Sequence, residues 1–194
     1  METAELTVRE VAELAEVPIR TVNKAIEEKV IPTKRLRKHR RPNLLPAQAV
    51  AYAAVIDKLD VSLSKASKRR LLDVFGARKA KDMTATPVEI AHAVTLNVPE
   101  LVGAELGART DAYLRRRDDV IERNPEILGG TPVVRGTRIS VYSLLGRIEH
   151  GDTIGGIVED YSHLTPEIVE TAVTYARTHP LVGRPSGRPW VKTS

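Results

Sequence analysis

Cysteine is absent from the 194 residues, which excludes disulfides, thiolate metal sites and thiol nucleophiles. Aromatic residues are scarce at 4%, with one Phe and one Trp, so the core must rest on Val, Leu, Ile and Ala, as in compact helical modules. No apolar run approaches the ~20 residues needed to cross a bilayer. The opening Met1-Glu2-Thr3-Ala4-Glu5 lacks the basic flank and apolar stretch of a secretory leader, and a cytoplasmic location is expected. Metal-ligand spacing is missing too. His39, His92, His150, His163 and His179 form no H-E-x-x-H or comparable pattern, and the charges around His150 read as a solvated helix end. Gly129, Gly130 and Gly136 do not make a phosphate-binding loop, because Val134 and Arg135 stand where its second glycine and lysine belong. No catalytic constellation remains, so an enzyme is not expected, nor any metal or cofactor.

What is present is a 42% hydrophobic share, enough for a packed core, and a net charge of +5 that is unevenly spread. Lys34, Arg35, Arg37, Lys38, Arg40 and Arg41 lie between Thr33 and Pro42 with no acid among them. After Glu170 no acid occurs, while Arg177, Arg184, Arg188 and Lys192 follow. Two separated basic concentrations point to two polyanionic or acidic partners, or else to a solvated loop and a frayed tail.

Thr7 followed by Glu10 is a capping box, and Val8, Val11, Ala12 and Ala15 then fall on one helix face. Pro18 suits the first turn of a second helix that buries Ile19, Val22, Ala25 and Ile26. The spacing is that of a helix-turn-helix. Leu6 to Ala15 and Val17 to Ile31 resemble the MerR-like and excisionase-like winged helix-turn-helix families, with the basic run from Ile31 to Leu45 in the place of the wing. The resemblance implies that Arg20, Thr21, Asn23 and Lys24 face bases or nearby phosphates of double-stranded DNA. It also implies that Lys34, Arg35, Arg37, Lys38, Arg40 and Arg41 grip the phosphate backbone.

Helices are predicted over 47–59, 64–75 and 106–121, whereas 87–98 fits a strand or a helix. Further on, the spacing gives two short strands, Pro132–Val134 and Arg138–Val141, about a turn at Arg135-Gly136. Three amphipathic helices follow, starting near Ser140, near Asp152 or Thr153, and at Thr165 with Pro166 and Glu167 in its first turn.

Leu128-Gly129-Gly130-Thr131-Pro132-Val133, Arg135-Gly136-Thr137-Arg138-Ile139, Asp160-Tyr161, Leu164-Thr165, Glu167 and Ala176 resemble the family catalogued as domain of unknown function 433. Ser140 and Ser162 depart from it, standing at helix or turn boundaries where that family usually has proline. The resemblance implies a homeodomain-like fold and a VapB-like antitoxin paired with a PIN-type (VapC-like) ribonuclease toxin. Glu167 and Glu170, near the start of the third helix, favour a dimerising or partner-holding role over groove binding.

The remaining tail carries Arg184, Arg188, Trp190 and Lys192 without a periodic pattern. In the antitoxin reading these residues bind the toxin, with an arginine forking onto carboxylates and Trp190 filling a pocket; the bland reading is a frayed end. The expected architecture is mainly α. It has a winged helix-turn-helix at 1–60, a helical connector at 61–123, a β-hairpin plus three-helix module at 124–179 and a binding tail at 180–194. A homodimer that represses its own operon is expected; the alternative is a free-standing transcriptional regulator or architectural DNA-binding protein.

Overall fold

Thr7 begins the first helix, α1 (Val8–Leu14), by accepting from the Glu10 amide while the Glu10 carboxylate accepts from the Thr7 amide, as the capping box requires. This computed structural model describes residues 5–33 and 44–181. The cations from Lys34 to Arg41 and the tail residues Arg184, Arg188, Trp190 and Lys192 lie outside those bounds. Glu16 takes a left-handed φ of 56° in the turn after α1, and α2 (Ile19–Glu27) follows with Pro18 as its N-cap, one position earlier than expected. A short strand before α1, β1 (Glu5–Thr7), pairs antiparallel with β2 (Leu44–Pro46), which sets the chain that follows the basic run beside the start of α1.

The next helix, α3 (Gln48–Lys58), is apolar all round, and its residues from Ala49 to Val55 are buried. A helix without a polar face is stable only when surrounded, and α1, α2, α4 (Lys65–Ala77), α5 (Val98–Val102) and α6 (Leu106–Val120) pack about it. The ambiguous stretch is a β-hairpin, β3 (Val88–Ala91) against β4 (Val94–Leu96). Its alternation is that of a half-buried strand: Val88 and Ile90 face inward and Glu89 outward. Buried apolar side chains from Leu6 to Leu114 form one continuous core, so the connector shares its interior with the first two helices.

Helix α6 approaches a 3-10 turn at Ala80–Asp82 so closely that a Cβ on Gly107 would stand 2.7 Å from the Ala80 carbonyl oxygen. The far end of α6 is capped by Arg135, whose guanidinium donates to the carbonyls of Asp119 at 2.7 Å and Asp118 at 2.8 Å. A cation there meets the negative end of the helix dipole.

The second hairpin differs from expectation. Val133–Val134 does form a strand, β6, but its ladder partner is β5 (Ile121–Glu122), at the end of α6, and not 138–141. The turn at Gly136 has the expected positive φ, 73°. Thr137 then closes it, donating to the Val134 carbonyl and accepting from the Ile139 amide. Two backbone bonds, from the Val134 amide to the Ile139 carbonyl and from the Val141 amide to the Pro132 carbonyl, frame a single bridge, Val133 to Ser140, as α7 (Val141–Glu149) begins.

Helices α7, α8 (Ile154–Asp160) and α9 (Pro166–Thr178) start at the caps Ser140, Thr153 and Thr165, each accepting a first-turn amide. Between α7 and α8 the Arg147 guanidinium holds Asp152 and Asp160, the latter at 2.6 Å, and lies 5.7 Å from the centroid of the Tyr161 ring. Val134, Val141, Leu144, Ile157, Leu164, Val169, Ala172 and Ala176 build a second core. The described residues are thus mainly helical, with small antiparallel strand pairs, and none of their helices is long and apolar enough to cross a membrane.

Candidate nucleic-acid interface

Helix α2 seats Val22 and Ala25 in the first core, which turns Arg20, Asn23 and Lys24 outward. Among the described residues neither cation has an acidic partner, so both charges stand free on one helix face. Thr21 is placed differently. Its hydroxyl donates to the Asp57 carboxylate on α3 at 3.0 Å, which commits it to the fold and leaves three outward residues of the expected four.

Beside this face a groove of about 800 Å³ runs between α2, α3 and α4. Arg20 and Lys24 flank one side; Glu28, Asp57 and Lys68 occupy the other, with Lys68 bonded to Glu28 at 2.6 Å. Burial, reinforced by the Glu28 charge, pushes the Tyr52 phenol well above its ordinary range, so it stays a neutral donor at the groove floor. Of the cations lining this groove only Arg20 and Lys24 lack an acidic partner among the described residues, while Glu27 and Glu28 give the C-terminal end of α2 the opposite sign.

The other candidate recognition helix, α9, is covered. Thr171, Tyr175 and Thr178 are buried, and α9 packs on α7 and α8 along one side and on α1 and α6 along the other. Arg177 reaches Glu13 of α1 at 3.2 Å, and the exposed first turn offers Glu167 and Glu170. The Glu167 carboxyl is held below its usual range by hydrogen bonds from Thr165 and from its own backbone. A helix with both flanks packed and an acidic tip has no free cationic face for a groove.

The joint between the two cores centres on Glu10, 1% exposed. Its Oε1 accepts from the Tyr113 hydroxyl at 2.9 Å and from Arg117 at 3.0 Å, both on α6. Arg117 also donates to the Glu5 carbonyl at 3.0 Å. Burial and then the Glu10 charge raise the Tyr113 phenol far above its ordinary value. Burial by itself would lower the Arg117 guanidinium, but the charges and hydrogen bonds of Glu10 and Asp118 together outweigh it and hold the charge. Nearby, His179 stacks on Tyr175 with ring centroids 4.1 Å apart, and its burial keeps the imidazole below its ordinary pKa. The capping motif drew attention to Glu10, but not to Tyr113 and Arg117. Their i, i+4 spacing places them on one face of α6, which was the available signal. Among the described residues no group of three or more His, Asp or Glu is placed to hold a metal ion.

Comparison with known proteins adds three likenesses. Residues 121–176 match the family model described as "Protein of unknown function (DUF433)", which brackets β5 to α9. The chain is 28% identical over 193 residues to "Uncharacterized protein y4eO" of Sinorhizobium fredii (strain NBRC 101917 / NGR234), covering 92% of this chain and 83% of that protein. The crystal structure of Rv2018 from Mycobacterium tuberculosis overlaps with a TM-score of 0.39 at 18% identity, over 90% of this chain and 99% of that one. That overlap is too loose to assign a fold.

Proposed function

We propose that this chain is a DNA-binding regulator that reads its operator through α2, and that it serves as the antitoxin of a toxin–antitoxin pair. The observation that carries the DNA reading is the outward trio Arg20, Asn23 and Lys24 on a helix whose opposite face is locked into the core. Such a helix can offer bidentate donors to guanine and adenine edges without disturbing the fold. The helix-turn-helix reading of α1 and α2 gains support from the turn at Glu16. The basic run from Lys34 to Arg41 supplies six cations for phosphates, and the β1–β2 pair ties the chain that follows it to the start of α1. In this reading the covered α9 holds the second unit in place, and DNA contact belongs to the first.

Binding to double-stranded DNA from immediately upstream of the reading frame tests this directly. Titration by fluorescence anisotropy should show affinity falling steeply with salt, since each neutralised phosphate releases counterions, with a log–log slope of about −0.9 per contact. Affinity that does not move with salt rejects the assignment.

The antitoxin half rests on the resemblance of residues 124–179 to the family of unknown function and on the composition of the tail. Arg184, Arg188 and Lys192 suit the acidic metal site of a PIN-type ribonuclease, and Trp190 suits a pocket beside it. Full-length chain should restore growth to cells expressing the neighbouring ribonuclease. A chain ended after Pro180 should fail to do so while keeping its operator affinity. Equal rescue by both would place the inhibitory surface elsewhere, on 124–179, and rescue by neither would leave the free-standing regulator.

A further inference from the structure

A second groove, of about 710 Å³, opens at the seam between the two cores. One wall is the start of the first unit: Val8 and Arg9 on α1 and Ile19, the first residue of α2. The facing wall is the loop from Gly129 to Pro132 with Tyr142 of α7, and the end of α9 with His179 closes the third side. At the start of this loop Leu128, Gly129 and Gly130 take positive φ values of 47°, 64° and 84° in succession.

Its chemistry is one-sided. Arg9 and Arg123 both line it, and no Asp or Glu does. Among the described residues neither guanidinium has an acidic partner. Arg123 is nonetheless held: its Nε donates to the Tyr175 hydroxyl at 3.1 Å, and its guanidinium carbon lies 5.8 Å from the centroid of the Tyr175 ring. A fork fixed at Nε keeps its terminal amino groups oriented for a bidentate acceptor, which lowers the entropy lost on binding. Beside the cations Val8, Ile19, Pro132 and Tyr142 supply apolar surface, and Ile19 is left 44% exposed. The volume falls within the range of small-molecule sites, which pair an apolar lining with a few convergent polar groups.

We propose that this seam groove binds a small apolar acid, its anionic head on Arg123 and Arg9 and its apolar body against Val8, Ile19 and Tyr142. The chain's own tail is a poor occupant. After Leu181, which lines the groove, the sequence carries Arg184, Arg188 and Lys192 with no acid, so it would bring like charge to the Arg9 and Arg123 guanidinium groups. The walls come from both units, so an occupant adds contacts between the first residue of α2 and the second core. The site itself does not depend on DNA binding, and its test contains no DNA in the primary titration.

The probe is 8-anilinonaphthalene-1-sulfonate, titrated into the full-length chain and followed by fluorescence, with calorimetry for stoichiometry. One saturable site per chain is expected. Arg123→Gln should weaken it at least tenfold, the scale of a lost charge-assisted hydrogen bond, and Arg9→Gln by several-fold. Both arginines are exposed, so both variants should melt like the parent chain. Arg138→Gln, the same charge change outside the groove, should bind as the parent does. The neutral parent amine, N-phenyl-1-naphthylamine, should bind at least tenfold more weakly and be indifferent to Arg123→Gln. Unsaturable binding, equal affinity in Arg123→Gln, or equal affinity for the neutral amine would each overturn the proposal. So would displacement of the probe by a short duplex of unrelated sequence that Arg123→Gln also weakens, because the arginines would then be phosphate contacts.

Discussion

Replacing Glu10 with alanine is expected to destabilise the chain by about 3–5 kcal/mol, the scale for removing one partner of a buried ion pair. The carboxylate is buried and bonded on both oxygens: Oε2 accepts from the Thr7 amide, and Oε1 accepts from Tyr113 and Arg117. Without it the Arg117 side chain, 17% exposed, keeps a charge with little water to solvate it and, among the described residues, only the exposed Asp118 carboxylate as acidic partner, and the Tyr113 hydroxyl loses its acceptor. The first turn of α1 also loses half of its capping box. Glu10→Gln keeps the shape and the cap but removes the charge, so its cost should fall between alanine and the parent. Arg117→Ala in the Glu10→Ala background should cost clearly less than the sum of the single changes, because the stranded charge is gone. Urea denaturation at neutral pH reads the parent and the four variants, the single Arg117→Ala among them. A Glu10→Ala cost below about 1 kcal/mol would show that the joint does not depend on this carboxylate. The consequence for function is positional: these bonds fix α1, and through it α2, against α6.

Reversing both free charges on α2, Arg20→Glu with Lys24→Glu, should lower operator affinity at least a hundredfold near 0.1 M salt. A good base or phosphate contact is worth about 1–3 kcal/mol, and reversal adds repulsion from the duplex to the loss of each. The log–log salt slope should shrink by about two contacts. Stability should not move with it, since neither side chain bonds to any described residue and both are exposed. That separation is the informative part: a large loss of binding with an unchanged melting temperature assigns the face directly. Unchanged binding would remove α2 as the reading helix and shift the contact to the basic run from Lys34 to Arg41.

Local chemistry made much of the chain legible. The capping boxes and N-caps at Thr7, Thr153 and Thr165 act over three residues and needed no tertiary information. Helices over 48–58, 65–77 and 106–120 follow from apolar spacing that any partner surface would exploit. The same is true of the outward placement of Arg20, Asn23 and Lys24, because burying Val22 and Ala25 leaves no other side for them. Strand pairing was less secure. Val133–Val134 can satisfy its backbone with any extended neighbour, and Ile121–Glu122 took the edge because Arg135 draws the end of α6 alongside it.

Local chemistry along the chain thus sets which segments are helical, which faces are apolar and which stretches are charged. Only the tertiary structure decided which of those faces stay open. Nothing within α9 says that Thr171 and Thr178 are buried or that its flank lies on α1 and α6. Thr21 reads as a surface hydroxyl until Asp57, 36 residues away, is placed beside it. Glu10 reads as a solvated cap until Tyr113 and Arg117, more than 100 residues along, reach its second oxygen. The two arginines of the seam without an acidic partner among the described residues, Arg9 and Arg123, belong to different units and line one groove only when the cores pack. The physical reason is common to all four. Periodicity and capping are set by backbone geometry over one or two turns, whereas desolvation and charge pairing depend on which surfaces come together, and no local pattern encodes that.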